Sequence, residues 1–147
     1  MRTIALMTIE EQDSDVLPWI AADALVRGID SPTLRYLAGA TAADTDEATD
    51  LFWKSIDELG YERPSIDEAR WQLVFDHASA AIDGTMSPYQ AARWIWWNGY
   101  NKLGYPEVLG VFGGCASEME DHPEPESWAF YETQIRKAAN SLLSLRP

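Results

Sequence analysis

The stretch 87–105, SPYQAARWIWWNGYNKLGY, holds three of the chain's seven tryptophans within four residues, and its reading decides the fold. Ser87 followed by Pro88 is a helix start: the Ser hydroxyl caps an orphan backbone N–H, and Pro is pre-set for the first helical turn. At helical spacing Tyr89, Ala92, Trp96, Gly99 and Leu103 share one face, and Trp94, Trp97 and Asn101 share another, with Ile95 between them. A helix apolar on nearly all sides is a buried helix. The stretch is therefore the central helix of an all-α protein, and Trp96, beside Ala92 and Gly99, is expected to be almost fully buried.

Outward from it, the same start and stop signals recur. Residues 17–27 predict a helix with Pro18 near its start, Trp19, Ala22 and Val26 inward, and Gly28 as its stop. Ser31 and Pro32 open a short helix through Leu34, Leu37 and Ala38 to Gly39. Asp44 with Glu47 reads as a capping box for a helix whose stripe is Ala48, Leu51, Phe52, Ser55 and Leu59. Ser65 with Glu68 repeats that box and opens a longer helix to Asp83, with Ile66, Ala69, Leu73, Val74, Ala78 and Ile82 apolar, and Gly84 as its stop. After Pro106 a helix over 107–121 places Val108, Phe112, Cys115 and Met119 on one face. A last amphipathic helix, 126–145, runs through Trp128, Tyr131, Ile135, Ala138 and Leu142. Residues 2–7 read as a short strand or a loose arm. The expectation is a single compact domain of about seven helices over residues 1–147.

An internal correspondence appears at an offset of 56 positions: Gly28, Ser31 and Pro32 match Gly84, Ser87 and Pro88, and Ala22 and Ala24 match Ala78 and Ala80. It is the pattern of two similar three-helix units followed by a C-terminal helix, although Gly then Ser-Pro also joins unrelated helices. Duplication predicts equivalent packing of the two Ser-Pro helices. Gly110, Gly113 and Gly114 lie in the next helix, where each costs about 1 kcal/mol relative to Ala. They are expected to give a smooth face for the indoles or, as the alternative, a kink lining a pocket.

Charge bounds the function more firmly than any motif. Eleven Lys and Arg against 24 Asp and Glu leave a net charge of −13, which disfavours a binder of nucleic-acid phosphates and favours a basic partner. Five carboxylates, Glu118, Glu120, Asp121, Glu124 and Glu126, fall within nine residues, and Glu10, Glu11, Asp13 and Asp15 fall within six. These read either as solvated faces or as an electronegative docking surface, with Trp97, Tyr100 or Trp128 as exposed anchors at its rim. A single cysteine forms no internal disulfide, and neither a secretory signal nor a run of ~18 apolar residues is evident, so a cytoplasmic location is expected.

Catalytic patterns are thin. His77 and His122 sit in no zincin motif, and Glu118 with His122 at four-residue spacing offers only two metal ligands. Cys115 follows two glycines, as a nucleophile on a flexible loop does, yet it lies on the apolar stripe and reads as a small core residue. No phosphate-cradling loop and no nucleophile elbow occur. No catalytic residue, cofactor or metal ligand is therefore assigned.

Gly84, Ser87-Pro88-Tyr89, Ala91-Ala92 and Ile95-Trp96, followed by Ala116-Ser117-Glu118 and Glu120-Asp121, resemble a group of small acidic, helical bacterial proteins. Asp30-Ser31-Pro32, Leu34-Arg35 and Leu37-Ala38-Gly39 fit the same pattern. The resemblance covers most of the chain and is structural in type, bringing no catalytic residues with it. Small acidic proteins of this kind include immunity proteins, which occupy a toxin's active site; the analogy is one of size and charge. The expected function is a non-enzymatic, immunity- or antitoxin-like inhibitor of a basic protein such as a toxin or nuclease, without nucleic acid or membrane. The alternative is a ligand-binding or enzymatic domain with a tryptophan-lined pocket and Asp76, His77 and Cys115 as its polar groups.

Overall fold

The computed structural model describes residues 1–41 and 45–147, the side chain of Thr45 excepted. The protein is all-α, with eight α-helices among the described residues. They are α1 (Arg2–Thr8), α2 (Leu17–Val26), α3 (Pro32–Ala38), α4 (Thr45–Glu58), α5 (Ile66–Asp83), α6 (Pro88–Trp94), α7 (Gly110–Asp121) and α8 (Pro125–Leu143). Asp44, expected to cap α4, lies outside the described residues. Two compact units emerge from the packing, one of residues 6–64 and one of residues 1–5 with 65–147.

The amino-terminal stretch is a helix rather than a strand or loose arm. Ile4, Ala5 and Met7, which are buried, fall at helical spacing, and a lone strand would leave its backbone groups unpaired.

In the unit of residues 6–64, α3 packs against both α2 and α4. Leu17, Ala21, Leu34, Leu37, Ala48, Phe52 and Ile56 form its buried positions. Trp19 and Val26, expected inward, are instead 79% and 87% exposed. The helix LPWIAADALV carries one charged residue, Asp23, so its periodicity offers two apolar lines, and the line through Leu17 and Ala21 is the one that is buried. Thr33, at the start of α3, donates both its N–H and its hydroxyl to Glu58 at the end of α4. Arg63 pairs with Asp57 at 2.7 Å and covers the Trp53 ring at 4.7 Å.

In the other unit α5 packs on α6 and α8, and α7 packs on α6 and α8. Val74, Ala78, Ala92, Ile95, Leu109, Phe112, Met119, Ile135 and Leu142 make the core. The capping box at Ser65 is complete: the Ser65 N–H donates to Glu68 Oε2 at 2.7 Å and the Glu68 N–H donates to Ser65 Oγ at 3.2 Å. Ile66, the first residue of α5, and Ile82, next to the buried Ala81 but on another face, are exposed. Val108 is also exposed, since Pro106 is followed by a 3₁₀ turn, Glu107–Leu109, that turns Leu109 inward in its place.

The tryptophan helix contains a feature that its sequence pattern hides. After α6 the backbone widens into a π-helical segment, Ile95–Tyr100. The Asn101 N–H donates to Trp96 O, five residues back, at 3.0 Å, and Arg70 donates to the Asn98 carbonyl at 3.3 Å. The buried line runs through Ala91, Ala92, Ile95 and Gly99, and Trp96, expected to be almost fully buried, is half-buried at its edge. The smooth-face reading of the glycines holds at Gly113, where a Cβ would come within 2.6 Å of the Trp96 ring. It does not hold at Gly114, which faces open space.

The two Ser-Pro helices share their joints and differ in their faces. Thr33, Leu34 and Leu37 are buried in α3, whereas Pro88, Ala91 and Ala92 are buried in α6. The equivalent packing that a duplication predicts is not found at these two helices.

Candidate functional site

The carboxylates of 118–126 line the end of α7 and the start of α8, and all five are exposed. They are not alike. Glu120 accepts from the Tyr89 hydroxyl at 2.7 Å and lies 3.9 Å from Arg93. Glu118 accepts from the Tyr131 hydroxyl at 3.4 Å and lies 3.5 Å from His122. No hydrogen bond or ion pair engages the side chains of Asp121, Glu124 or Glu126 among the described residues. Beside Glu120 the Tyr89 phenol is held above its ordinary range, first by that hydrogen bond and then by desolvation. Tyr131 is raised by desolvation, with the nearby Glu118 charge adding to it.

Tyr89 also lines a shallow groove of about 500 Å³ along the tryptophan helix, with Arg93, Trp94, Trp97 and Asn98. Trp97 is 51% exposed, with its ring 4.9 Å from that of Trp96. Glu120 thus borders the groove through both Tyr89 and Arg93, which ties this one member of the acidic ridge to the groove that carries the exposed indole. Neither contact is visible in sequence spacing, since Tyr89 and Glu120 are 31 positions apart.

The other anchors expected at the rim are held in the packing. Trp128 is half-buried, donates its indole N–H to the Met119 carbonyl at 3.0 Å and rests 5.2 Å from the Tyr89 ring. Tyr100 is half-buried against Tyr105. The acidic residues Glu10, Glu11, Asp13 and Asp15 are exposed and belong to the unit of residues 6–64.

Asp76, His77 and Cys115 have separate surroundings. Asp76 lies 3.9 Å from Arg146. The buried His77 places Nδ1 2.7 Å from the Leu73 carbonyl; a carbonyl oxygen only accepts, so Nδ1 carries the hydrogen. Its ring stacks on Trp94 at 4.0 Å. Cys115 is buried among core side chains, and desolvation pushes its thiol up, away from the reactive thiolate. Among the described residues no three His, Cys, Asp or Glu side chains are grouped to hold a metal ion, and no helix is long and apolar enough to cross a membrane.

A second concavity lies in the unit of residues 1–5 with 65–147. It encloses about 660 Å³, and its lining includes Trp71, Phe75, Val108, Leu142 and Arg146. Its residues come from distant parts of the chain, and only Glu68, Trp71, Gln72 and Phe75 share one helix.

Comparison of the chain with protein-family models, with curated proteins and with solved structures returns no match.

Proposed function

We propose that the protein is a non-enzymatic binding module, an immunity- or antitoxin-like inhibitor that meets a basic protein partner with the surface built from the acidic ridge and the Trp97 groove. The observation that carries this reading is the link from the exposed Trp97 groove, through Tyr89 and Arg93, to Glu120 on the acidic ridge. Asp121, Glu124 and Glu126 keep their charge available to a cationic surface, while Trp97 offers apolar area of the kind that dominates interface energies. Arg93 and Tyr89, tied to Glu120, hold the border between the two. The net charge of −13 adds a long-range attraction that speeds encounter with a cationic partner.

The test is capture of partners from a bacterial extract at low and high salt, followed by association kinetics with the purified partner. A basic protein bound at defined stoichiometry, associating faster as salt falls, is expected. D121K/E124K/E126K, which leaves the Tyr89 and Arg93 contacts of Glu120 intact, should abolish that capture, and Trp97→Ala should speed dissociation. Binding that is indifferent both to salt and to the triple reversal would overturn the reading.

A further inference from the structure

The 660 Å³ cleft, remote in its lining residues from the acidic ridge, has a chemistry of its own. Its walls are apolar side chains from several elements: Trp71 and Phe75 of α5, with ring centroids 6.1 Å apart, Leu142 of α8, and Val108 and Leu145 beside them. The volume falls within the range of small-molecule sites, about 300–1,000 Å³. Its charged side chains are Glu68 and Arg146, and Met1 and Pro147 complete the lining. Glu68 is engaged, since its carboxylate receives the Ser65 N–H and closes the cap of α5, and that hydrogen bonding holds its pKa below the ordinary glutamate value. Arg146 is different. Its guanidinium lies over the Phe75 face at 5.6 Å, approaches Asp76 only at 3.9 Å, and keeps its side chain 47% exposed. Five N–H donors on a planar fork are thus placed at the edge of an aromatic wall, with one loose carboxylate contact to occupy them.

From this we infer that the cleft is a binding site for a small amphipathic carboxylate, with its apolar body against Trp71, Phe75 and Leu142 and its head group on Arg146. A cationic head group would have to displace Arg146 from the Phe75 face and would find Glu68 already hydrogen-bonded. A neutral one would leave the guanidinium's charge unused. Gln72, which also lines the cleft, adds a neutral donor for the second carboxylate oxygen. This site is independent of the protein-binding surface proposed above.

The probe is decanoate, used below its micelle concentration and compared with decanol and decylammonium by titration calorimetry and thermal unfolding. One equivalent of decanoate should bind and raise the unfolding temperature. Decanol should bind at least about tenfold more weakly, the discrimination that a charge-assisted hydrogen bond supplies. Decylammonium should be weaker still. Arg146→Gln should bring decanoate down to the level of decanol and leave decanol unchanged. Gln72→Trp, which fills the cleft from a half-exposed position, should remove binding of both while circular dichroism stays native. Equal binding of decanoate and decanol by the wild type, a preference that survives Arg146→Gln, tighter binding of decylammonium, or no binding by any probe would each overturn the inference.

Discussion

The joints that precede α3 and α6 are nearly the same object. Gly28 and Gly84 have φ of +85° and +82°, and Ser31 Oγ and Ser87 Oγ each accept a backbone N–H three residues on at 3.1 Å. Beyond the joint the helices diverge. α3 buries Leu34 and Leu37, while α6 buries Ala91 and Ala92 and turns the corresponding positions, Gln90 and Arg93, to solvent. Local chemistry decides where a helix begins, and the side chains that follow decide which face is covered. In α3 large aliphatic residues fill the space between two neighbours; in α6 small ones are covered, and the Trp96 indole beyond it meets α7 at Gly113.

The sharpest test of that difference uses positions related by the 56-residue offset. Leu37→Ala should cost about 2–5 kcal/mol, the range for emptying a buried leucine site, whereas Arg93→Ala should stay within about 0.5 kcal/mol, as surface changes do. Chemical denaturation measures both, and similar costs would mean that the two helices are buried alike after all.

The close approach of the π segment to α7 predicts a second contrast. Gly113→Ala places a methyl group against the Trp96 ring and should destabilise by about 1–3 kcal/mol through overpacking. Gly114→Ala meets nothing within 4 Å and should stabilise by up to about 1 kcal/mol through helix propensity. Thermal unfolding should move in opposite directions for the two neighbours.

At the joints themselves the two helices should respond alike. Gly28→Ala and Gly84→Ala each force a side chain into the left-handed region, at about 1–2 kcal/mol apiece. Unequal losses in unfolding free energy would show that the shared geometry conceals different strain.

The smallest effect concerns the contact unique to α3. Glu58 is held below the ordinary glutamate value, first by the Thr33 hydroxyl and then by the Thr33 N–H. Its folded pKa lies below its unfolded one, so the stabilisation is present above the ordinary glutamate range and is lost as the pH falls through the lowered folded value. Glu58→Gln should slightly reduce stability at neutral pH and flatten the acid limb of a pH titration of the unfolding midpoint.

Helix boundaries were legible where a residue carries an unambiguous backbone role. Ser65 with Glu68, Ser87 with Pro88, and Gly84 each act as their chemistry dictates. Buried faces were legible only where polar residues mark the other side. In α2, with Asp23 as its one charged residue, two apolar lines are open, and Trp19 and Val26, expected inward, are exposed. Trp96 is half-buried for a similar reason: Ala91, Ile95 and Gly99 offer a second line at helical spacing, and that line is the buried one. The acidic ridge was visible as a cluster, but its division into tethered Glu118 and Glu120 and unengaged Asp121, Glu124 and Glu126 depends on Tyr131 and Tyr89, which only the fold brings there. The cleft at Arg146 was invisible for the same reason.

The contact between Gly113 and Trp96 also constrains how this chain is able to change over generations. Because an added Cβ would sit 2.6 Å from the indole, the two positions form one unit of selection. A larger residue at 113 is better tolerated once 96 has shrunk, and the order of the two substitutions decides how much stability the intermediate loses. Trp96→Leu should therefore rescue part of the loss caused by Gly113→Ala, a coupling that a double-mutant cycle reads directly.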